Sequence, residues 1–384
     1  MSQRRILLSS PHMGGTEKKY VDEAFDTNWI APLGNNVDQF EASVKNFTGI
    51  EAACALSSGT SAIHLALDLL DVGVGDIVLC SSLTFVASAN PILYLGGTPV
   101  FIDSEIDSWN MCPKSLEKAL KYYRMQGKQP KAVVVVNLYG QSARMDQIVE
   151  ICNRFDVPII EDAAESLGAK YRGRMSGTFG KFGVYSFNGN KIITTSGGGM
   201  LISDDTVSIS KALHKATQSK EAAKHYQHEK VGYNYRLSNV CAGIGRGQME
   251  VLEERIEQKR RIFDKYVAGL QDVPGISFMP EIEGSFHTRW LSTLTLDPGK
   301  LGVTAEGLVD YLADHNIEAR PVWKPLHMQP LFKECEYFTE GQDHSRYLFE
   351  HGICLPSDTK MTDEEINRVI NLVKARILTH KLLA

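Results

Sequence analysis

The chain has 384 residues, of which 43% are hydrophobic and 23% are charged, and its formal net charge is −5. These proportions are those of an average soluble globular protein, and they exclude a disordered chain, a collagen-like repeat and a supercoiled rod. A slight excess of acid gives no overall basic field that would attract nucleic acid or an anionic membrane. The length allows two or three domains with a large core.

Seven cysteines are scattered along the chain, and none is spaced as C-x-x-C. An odd number of cysteines without a pairing pattern is typical of reduced thiols in the cytosol. The apolar stretch Ile6–Leu8 is too short for a signal peptide, and no apolar run is long enough to span a bilayer. The sequence therefore predicts a cytoplasmic protein that binds neither nucleic acid nor membrane.

The first half of the chain alternates between two kinds of segment. The first forty residues carry turn signals at Met13–Gly15 and Ala31–Gly34, and they predict a helix and a loop that pack on another part of the protein. From about residue 50 to 205, β-rich runs alternate with helical stretches, which favours a mainly parallel sheet. The predicted strands are Ile77–Cys80, Pro99–Ile102, Ala132–Val136 and Val157–Ile160, and the predicted helices are Ser61–Leu70, Pro113–Tyr123 and Met145–Phe155.

The second half of the chain is different in character. Leu237 to Leu270 has few helix breakers and predicts one long helix that leads out of the sheet domain. Phe286–Leu296 predicts a strand, Thr304–His315 a helix and Asp363–Thr379 a closing helix. We expect residues 1–240 to form a large domain with an N-terminal segment, and residues 241–384 to form a linking helix and a small α+β domain.

A lysine in a polar turn is the strongest local signal. Ser186–Lys191 follows the apolar segment Phe182–Phe187 and precedes the glycines of Ser196–Gly199, which let backbone approach backbone or a ligand closely. An isolated lysine in a loop is usually only solvated. A lysine becomes a nucleophile when its pKa is lowered or when a carbonyl partner is held beside it.

Two further signals lie where strands are predicted to end. Glu161 and Asp162 follow a buried strand, and carboxylates at that edge of a parallel sheet face the ligand crevice. The alternative for Asp162 is a helix N-cap. Ser57–Ser61 forms a small-residue turn before a helix, whose N-terminal amides suit a phosphate, although a simple cap is again an alternative.

The three signals together match the needs of pyridoxal 5′-phosphate (PLP). A lysine binds the cofactor aldehyde as a Schiff base, an acid keeps the pyridine nitrogen protonated so that the ring accepts electrons, and a helix N-terminus holds the phosphate. At these residues the sequence resembles the DegT-type nucleotide-sugar aminotransferases, which are PLP enzymes of fold type I. The resemblance extends from Pro11 to Pro356, and its most specific parts are Ser57–His64, Glu161–Glu165, Tyr185–Lys191 and Gly232–Asn239.

The resemblance implies a fold and a set of roles. The fold would be an α/β/α sandwich of three layers with a mainly parallel mixed sheet, plus a smaller C-terminal α+β domain. Lys191 and Asp162 would be catalytic, Phe85 would stack on the cofactor ring, and Asn234 would reach the phosphate of a neighbouring subunit, which implies a homodimer. The implied cofactor-binding residues are Ser58, Gly59, Thr60, Phe85, Asp162, Glu165, Ser186, Asn188, Lys191 and Asn234.

Glu165 departs from a common pattern of the family, in which many members have Gln or His. Members of the bacillosamine type resemble this chain in having Glu, and Ile30–Gly34, Tyr185–Met200 and Arg289–Thr293 are especially similar to their UDP-4-amino-sugar transaminase. The departure leaves open how the surroundings of the cofactor 3′-hydroxyl are tuned.

The resemblance also implies where a nucleotide sugar binds. Trp29, Ile30 and Pro32 would line the sugar pocket, while Arg320 and Trp323 would meet the nucleotide. An arginine fork suits a diphosphate, and an indole can stack on a base. A surface salt bridge remains the alternative for Arg320, and plain packing remains the alternative for Trp323.

Two patterns are weaker candidates for chemistry. Gly243–Gly247 is similar to a dinucleotide-binding glycine pattern, but it follows no strand, so close helix packing is favoured. His225 and His228 lack a third ligand placed by the sequence, so no metal is predicted.

The expected reaction is a ping-pong transamination, class 2.6.1 and within it 2.6.1.34. L-glutamate would supply the amino group, and the C4 ketone of a UDP-linked 4-keto-6-deoxy-2-acetamido sugar would receive it. A dTDP- or GDP-linked sugar remains an alternative substrate. A PLP desulfurase or lyase, and a non-catalytic regulator on the same fold, remain alternatives of other classes. A related dehydratase branch has His in place of the lysine, and Lys191 argues against it.

Overall fold

Alternating strands and helices build most of the molecule. The computed structural model describes residues 4–383, with side chains up to residue 378. The helices are α1 (Glu17–Asp26), α2 (Asn35–Thr48), α3 (Gly59–Leu69), α4 (Asn90–Tyr94), α5 (Pro113–Met125), α6 (Met145–Phe155), α7 (Thr206–Ala216), α8 (Asn239–Glu250), α9 (Leu252–Leu270), α10 (Pro298–Leu301), α11 (Ala305–Asp314), α12 (His344–His351) and α13 (Asp363–Leu383). The strands are β1 (Ala52–Leu56), β2 (Ile77–Ser81), β3 (Thr98–Ile102), β4 (Ala132–Val136), β5 (Ile159–Asp162), β6 (Lys170–Tyr171), β7 (Arg174–Met175), β8 (Phe182–Ser186), β9 (Gly199–Ser203), β10 (Ile276–Phe278), β11 (Ser285–Phe286), β12 (Ser292–Leu296), β13 (Arg320–Pro321), β14 (Tyr337–Phe338) and β15 (Gly352–Leu355).

The main sheet has eight strands in the order β1-β9-β8-β5-β4-β2-β3-β14. The six strands β8-β5-β4-β2-β3-β14 run parallel to one another, while β9 pairs antiparallel with both β8 and β1. Because β2, β4, β5 and β8 are parallel, their carboxyl ends meet at one edge of the sheet. That edge is where parallel sheets bind ligands.

Helices cover both faces of this sheet, as the four-valine run in β4 predicts. Val134 packs in the core that includes α3 and α7. Val133 and Val135 pack in the opposite core, with residues of α5 and α6. Successive side chains of a strand point to opposite faces, so a strand that is covered on both sides is apolar throughout. The predicted three-layer α/β/α sandwich is confirmed.

A second sheet of four strands lies in the C-terminal part, in the order β10-β12-β15-β13. All of its pairs are antiparallel. Its core includes apolar residues of α9, α11 and α13. The predicted domain boundary at residue 240 stays a prediction. Two elements that follow this residue contact the first part of the chain: helix α8 packs on α1 and α2, and strand β14 extends the main sheet.

The predicted long helix Leu237–Leu270 is wrong, because the chain forms two helices with a break at Val251. The backbone of Val251 lies at φ −111° and ψ 5°, outside the helical region. Before the break, α8 packs on the N-terminal helices. After it, Ile262, Tyr266 and Leu270 of α9 join the core of the smaller sheet. One straight helix cannot contribute side chains to both cores. Neither glycine nor proline stands at Val251 to predict the break from the sequence.

The predicted strand Phe286–Leu296 is also wrong, because residues 287–291 belong to no strand and separate β11, which pairs with β6 in a sheet of three short strands, from β12 of the four-stranded sheet. Arg289 lies in the left-handed region at φ 56°, where a strand cannot continue. The N–H of Thr288 donates to the carbonyl of Gly140 at 2.9 Å instead of to a neighbouring strand. This detour brings Trp290 toward the carboxyl edge of the main sheet.

The glycines of α8 serve helix packing, as predicted. A Cβ at Gly243 would lie 3.0 Å from the carbonyl of Tyr20, and one at Gly245 would lie 2.7 Å from the ring of Phe40. Both distances are too short for side chains to fit, so the glycines let α1 and α2 lie close to α8.

None of the helices in the described range 4–383 is long and apolar enough to cross a bilayer.

Candidate active site

A cavity of about 400 Å³ opens at the carboxyl edge of the main sheet. Most of the residues expected to bind a cofactor line it, together with one residue expected to meet the nucleotide. The predicted residues in its wall are Ser58, Gly59, Thr60, Phe85, Asp162, Glu165, Ser186, Asn188, Lys191 and Trp323. Motifs that are more than 250 residues apart in the chain thus meet in one place.

Lys191 lies in a turn that follows β8. Its backbone N–H donates to the carbonyl of Asn188 at 3.0 Å, which closes the turn. The preceding carbonyl, that of Asn190, accepts hydrogen bonds from the Ser9 hydroxyl at 3.0 Å and from the Trp290 indole at 2.9 Å. The lysine side chain is 13% exposed. The turn is therefore held from two sides, and the amine lies in the cavity rather than in solvent.

The amine of Lys191 has two close partners. Its Nζ lies 3.6 Å from Oε1 of Glu165 and 4.4 Å from the centroid of the Trp290 ring. Burial raises the pKa of Glu165, while the charge of Lys191 and the Tyr139 N–H act in the opposite direction. That N–H donates to Oε2 of Glu165 at 2.9 Å.

Asp162 ends β5 at the floor of the cavity. Its Oδ2 accepts a hydrogen bond of 2.6 Å from the Ser88 hydroxyl, and its Oδ1 accepts one of 3.2 Å from the N–H of Ala164. Burial raises the pKa of this carboxyl, and the two donors and Lys191 partly offset the rise. Residues 163–169 form turns, so the alternative of a helix N-cap is wrong. A buried acid of this kind favours a cationic partner.

Glu161, the neighbouring acid, has a structural position. Its carboxylate accepts hydrogen bonds from the backbone of Gly177 at 2.9 Å and Gly180 at 2.8 Å, from that of Phe179, and from the Asn137 amide at 3.0 Å. With its oxygens occupied in this way, Glu161 fixes the loop before β8. Successive strand residues point to opposite faces, so only one of the two acids can face the cavity.

The turn at Ser58 presents the N-terminus of α3 to the cavity. Ser58 caps the helix, and Ser61 returns a hydrogen bond, so the cap predicted from the sequence is present. The amides of Gly59 and Thr60 lie in the first turn, where a helix favours an anion. A Cβ at Gly59 would lie 3.2 Å from the Cβ of Ser186, and one at Gly199 would overlap the backbone of Ser58. These glycines bring the turn against β8 and β9.

Aromatic rings form the opposite wall. The ring of Phe85, 53% exposed, lies 5.5 Å from that of Trp323. Tyr139 lies between Trp323 and Trp290, nearly parallel to both, with centroid distances of 6.4 and 6.3 Å. The backbone N–H of Trp323 also donates to the Tyr139 hydroxyl at 3.0 Å. The wall therefore joins the loop after β4 to two segments of the C-terminal part.

A second cavity of about 510 Å³ adjoins the first and shares Asn190 and Trp323 with it. Arg320 lines this second cavity and not the first. Its guanidinium lies 3.0 Å from Glu318, so the predicted alternative of a surface salt bridge is present. The arginine side chain is still 65% exposed, which leaves donors free to contact a ligand.

Four predicted residues lie outside the walls of both cavities. Trp29, Ile30 and Pro32 are exposed on a loop whose backbone is bound by Asn239, through hydrogen bonds to the carbonyls of Trp29 and Ala31. Asn234 is exposed as well. Their roles stay predictions, since each would need a second subunit to bring it to a site.

Three residues of the site were missed by sequence reasoning. Ser88 binds Asp162, Tyr139 binds Glu165 and Trp290 contacts Lys191. Tyr139 adopts φ 53°, and the strand that was expected at Trp290 is interrupted. The glycine after Tyr139 hints at a turn there, whereas the residues around Trp290 carry no comparable signal.

The groups in the cavity fit PLP. A buried acid, an amine and a helix N-terminus converge, and they match a ring nitrogen, an aldehyde and a phosphate respectively. The absence of a Cβ at Gly59 keeps the turn at Ser58 close to Ser186, and its absence at Gly199 lets β9 lie against the backbone of Ser58. Within residues 4–378, whose side chains are described, no group of three or more His, Cys, Asp or Glu is arranged to hold a metal ion.

Known proteins resemble this chain over nearly its whole length. EpsN of Bacillus subtilis (strain 168), whose name assigns it provisionally to the PLP-dependent aminotransferases, is 55% identical over 372 residues, which are 96% of this chain and 95% of EpsN. The GDP-perosamine synthase of Escherichia coli O157:H7 is 36% identical over 363 residues, covering 94% and 95% of the two chains. The crystal structure of a DegT DnrJ EryC1 StrS aminotransferase from Brucella abortus matches with a TM-score of 0.87 and 26% identity, over 94% of this chain and 95% of the other.

A family model points in the same direction. The model described as the DegT/DnrJ/EryC1/StrS aminotransferase family matches residues 11–374. This match covers the cavity, the turn of Lys191 and the strands of the eight-stranded and four-stranded sheets. The predicted cofactor and the predicted enzyme class are thereby confirmed, and the alternative of a non-catalytic regulator is not supported. The chain belongs to the DegT/DnrJ/EryC1/StrS aminotransferase family and is a PLP-dependent sugar aminotransferase, a transferase of class 2.6.1.

Proposed function

We propose that the enzyme moves the amino group of L-glutamate to the C4 ketone of a UDP-linked 4-keto-6-deoxy-2-acetamido sugar. This is reaction 2.6.1.34, and its product is the UDP-4-amino sugar of the bacillosamine pathway. The observation that carries the proposal is the meeting of Lys191, Asp162 and the α3 N-terminus in one cavity, next to a second cavity that Arg320 lines. The segments Tyr185–Met200 and Arg289–Thr293, which resemble enzymes of that type, contribute Lys191 and Trp290 to this region.

The chain's own residues have separate tasks in the proposed reaction. PLP supplies an electron-accepting ring that stabilises negative charge on a neighbouring carbon. Asp162 would pair with the ring nitrogen and keep it positively charged, and the Ser88 hydroxyl keeps that carboxylate oriented. The Lys191 amine would hold the cofactor, and when free it would carry a proton from the α-carbon of the donor to the cofactor and, in the second half-reaction, from the cofactor to C4 of the sugar. Ser58, Gly59, Thr60 and Ser186 would bind the phosphate, and Phe85 would lie against the ring.

The second cavity is the proposed nucleotide site. Arg320 would bind the diphosphate, and Trp323, which lies in the walls of both cavities, would contact the base or the sugar. The net charge of −5 does not oppose this assignment, since a diphosphate is bound by a few local donors rather than by a basic surface. Trp29, Ile30 and Pro32 would line the sugar pocket of the partner subunit.

A GDP-linked sugar is the second candidate substrate. It is favoured by 36% identity to a GDP-perosamine synthase, whose name specifies a GDP-linked product. A dTDP-linked 4-keto-6-deoxy sugar would suit the same donors. The three substrates differ at the base, where the residues around Trp323 would discriminate between them.

A panel of nucleotide-linked 4-keto sugars tests the substrate. With L-glutamate as donor, we expect mass spectrometry to detect a 4-amino product from the UDP-linked 2-acetamido sugar, with kcat/KM at least about tenfold above the GDP- and dTDP-linked sugars. Arg320→Ala should raise KM for the nucleotide sugar and leave the half-reaction with L-glutamate unchanged. A preference for the GDP-linked sugar would replace the proposed substrate by the second candidate.

We further propose a homodimer with two shared sites, in the cytoplasm. The exposed position of Asn234, and of the loop that carries Trp29 and Ile30, supports a second copy as their partner. None of the seven cysteines forms a disulfide, as is usual in a reducing compartment. A phosphate that is bound across the interface would make assembly a condition for tight cofactor binding.

Mixing two inactive variants tests the shared site. Lys191→Ala and Asn234→Asp should each be inactive alone, the second through charge repulsion with the phosphate. A mixed dimer has one intact site if Asn234 acts across the interface, so re-association should recover up to about a quarter of the wild-type activity. If mixed dimers form, as native mass spectrometry can establish, and no activity returns, Asn234 does not act across the interface.

A further inference from the structure

The indole of Trp290 occupies a position in the site to which the proposed function gives no task. Trp290 is 1% exposed and lies in the interruption between β11 and β12, just after the left-handed residue Arg289. Its ring is large and buried, which by itself describes any core tryptophan. Its neighbour, however, is the reactive amine of Lys191.

The amine lies between a π face and a carboxylate. The Nζ of Lys191 is 4.4 Å from the ring centroid of Trp290 and 3.6 Å from Oε1 of Glu165. Indole is the aromatic group that attracts a cation most strongly. The side chains of Lys191 and Glu165 are 13% and 4% exposed, so water screens neither attraction strongly.

Trp290 and Glu165, the two partners of the amine, are both held in place by Tyr139. Tyr139 lies against the Trp290 ring, at a centroid distance of 6.3 Å and an angle of 24°, and its backbone N–H donates to Glu165 at 2.9 Å. The Trp290 indole N–H donates to the carbonyl of Asn190, the residue before Lys191. Tyr139 therefore holds the Trp290 ring from behind, and the hydrogen bond to Asn190 ties the ring to the turn that carries Lys191. Together these contacts fix the distance between the ring and the amine.

We propose that Trp290 and Glu165 form a receiving site for the Lys191 amine, which stabilises its ammonium form between the two half-reactions, while the cofactor is in its aminated form. In this proposal, which rests on the proposed role of Lys191, Trp290 is a positioning residue. It favours the aminated form of the cofactor, in which the lysine is free, over the form in which the lysine is bonded. The first half-reaction is thereby drawn toward completion.

The equilibrium between the two cofactor forms tests the receiving site. The holoenzyme is titrated with mixtures of L-glutamate and 2-oxoglutarate, and the ratio of the two forms is read from their absorbance bands. We expect Trp290→Phe, which keeps a weaker π face, to shift the ratio about threefold toward the lysine-bonded form, and Trp290→Leu to shift it about tenfold. Glu165→Gln should shift the ratio in the same direction.

The graded pair of variants separates this role from a structural one. Both replacements lose the hydrogen bond to Asn190, but only leucine removes the π face. A loss of packing alone lowers the melting temperature of both variants and leaves the ratio of forms unchanged. An unchanged ratio, or equal shifts for Phe and Leu, would overturn the proposal. If the leucine variant does not fold, Trp290→Met replaces it as the larger residue without a ring.

One control separates failure of this inference from failure of the proposed function. Borohydride reduction followed by peptide mass spectrometry identifies the lysine that carries the cofactor. If the label is on a residue other than Lys191, the proposed function is wrong in the role that it gives to Lys191. If the label is on Lys191 and the ratio does not respond to Trp290, only the receiving site is wrong.

Discussion

Lys191→Ala is expected to abolish both the visible absorbance of the lysine-bonded cofactor and measurable turnover. In the proposed mechanism this side chain supplies the amine that bonds the aldehyde and then carries the proton, and no other lysine lines the cavity to replace it. We expect the rate to fall by roughly four orders of magnitude or more, the scale seen when a nucleophile is removed. Absorbance spectra of the purified variant and a coupled assay with L-glutamate measure the two effects.

Lys181→Ala is the matched control for this variant. Lys181 immediately precedes β8, and its side chain is exposed. The same change of residue at that position should leave colour and turnover at wild-type levels. Full multiple-turnover activity of Lys191→Ala would show that another lysine holds the cofactor.

Asp162→Ala should cost about a thousandfold or more in kcat, because the ring nitrogen would lose the charge that keeps it protonated. Asp162→Asn keeps the size of the side chain and an oxygen for the Ser88 hydroxyl but removes the charge, so it should be nearly as slow. Cofactor binding should weaken less than turnover, because the phosphate and Lys191 still hold the molecule. Steady-state kinetics at saturating PLP and a PLP titration separate the two effects.

The adjacent acid provides a contrast for this prediction. Glu161 is equally buried, but it binds the backbone of residues 177–180 rather than the cavity. Glu161→Gln should therefore lower the melting temperature while the folded fraction keeps its kcat. If the Asp162 variants retained kcat within about tenfold of wild type, another acid would have to pair with the ring.

The sequence predicts those parts of the molecule in which local pattern and tertiary packing agree. The valine run of β4 and the helix Met145–Phe155 have the predicted bounds, because a doubly covered strand and an amphipathic helix follow directly from periodicity. Lys191, Asp162 and the Ser58 turn were singled out because each combines an unusual residue with an unusual position, and all three line one cavity. Their roles stay predictions.

The errors arise where distant contacts override local pattern. The helix is interrupted at Val251 because α8 and α9 pack in two separate cores. The predicted strand is interrupted at Arg289 because the neighbouring Thr288 binds the loop after β4. Trp290 owes its place in the site to the second of these interruptions. Periodicity carries no trace of such constraints, since they originate in segments more than a hundred residues away.

The strand order of the main sheet has a consequence for synthesis of the chain. Strand β9 is inserted between β1 and β8, and β14 is added to β3 across more than 230 residues of sequence. A ribosome therefore releases β1 to β5 well before β9 exists to separate β1 from β8, and before β14 exists to cover the edge at β3. Pairings between strands that are far apart in sequence form slowly, and strand edges that stay unpaired in the meantime promote aggregation. Much of the nascent chain must emerge before this sheet can be completed, so folding of the active site is necessarily a late event.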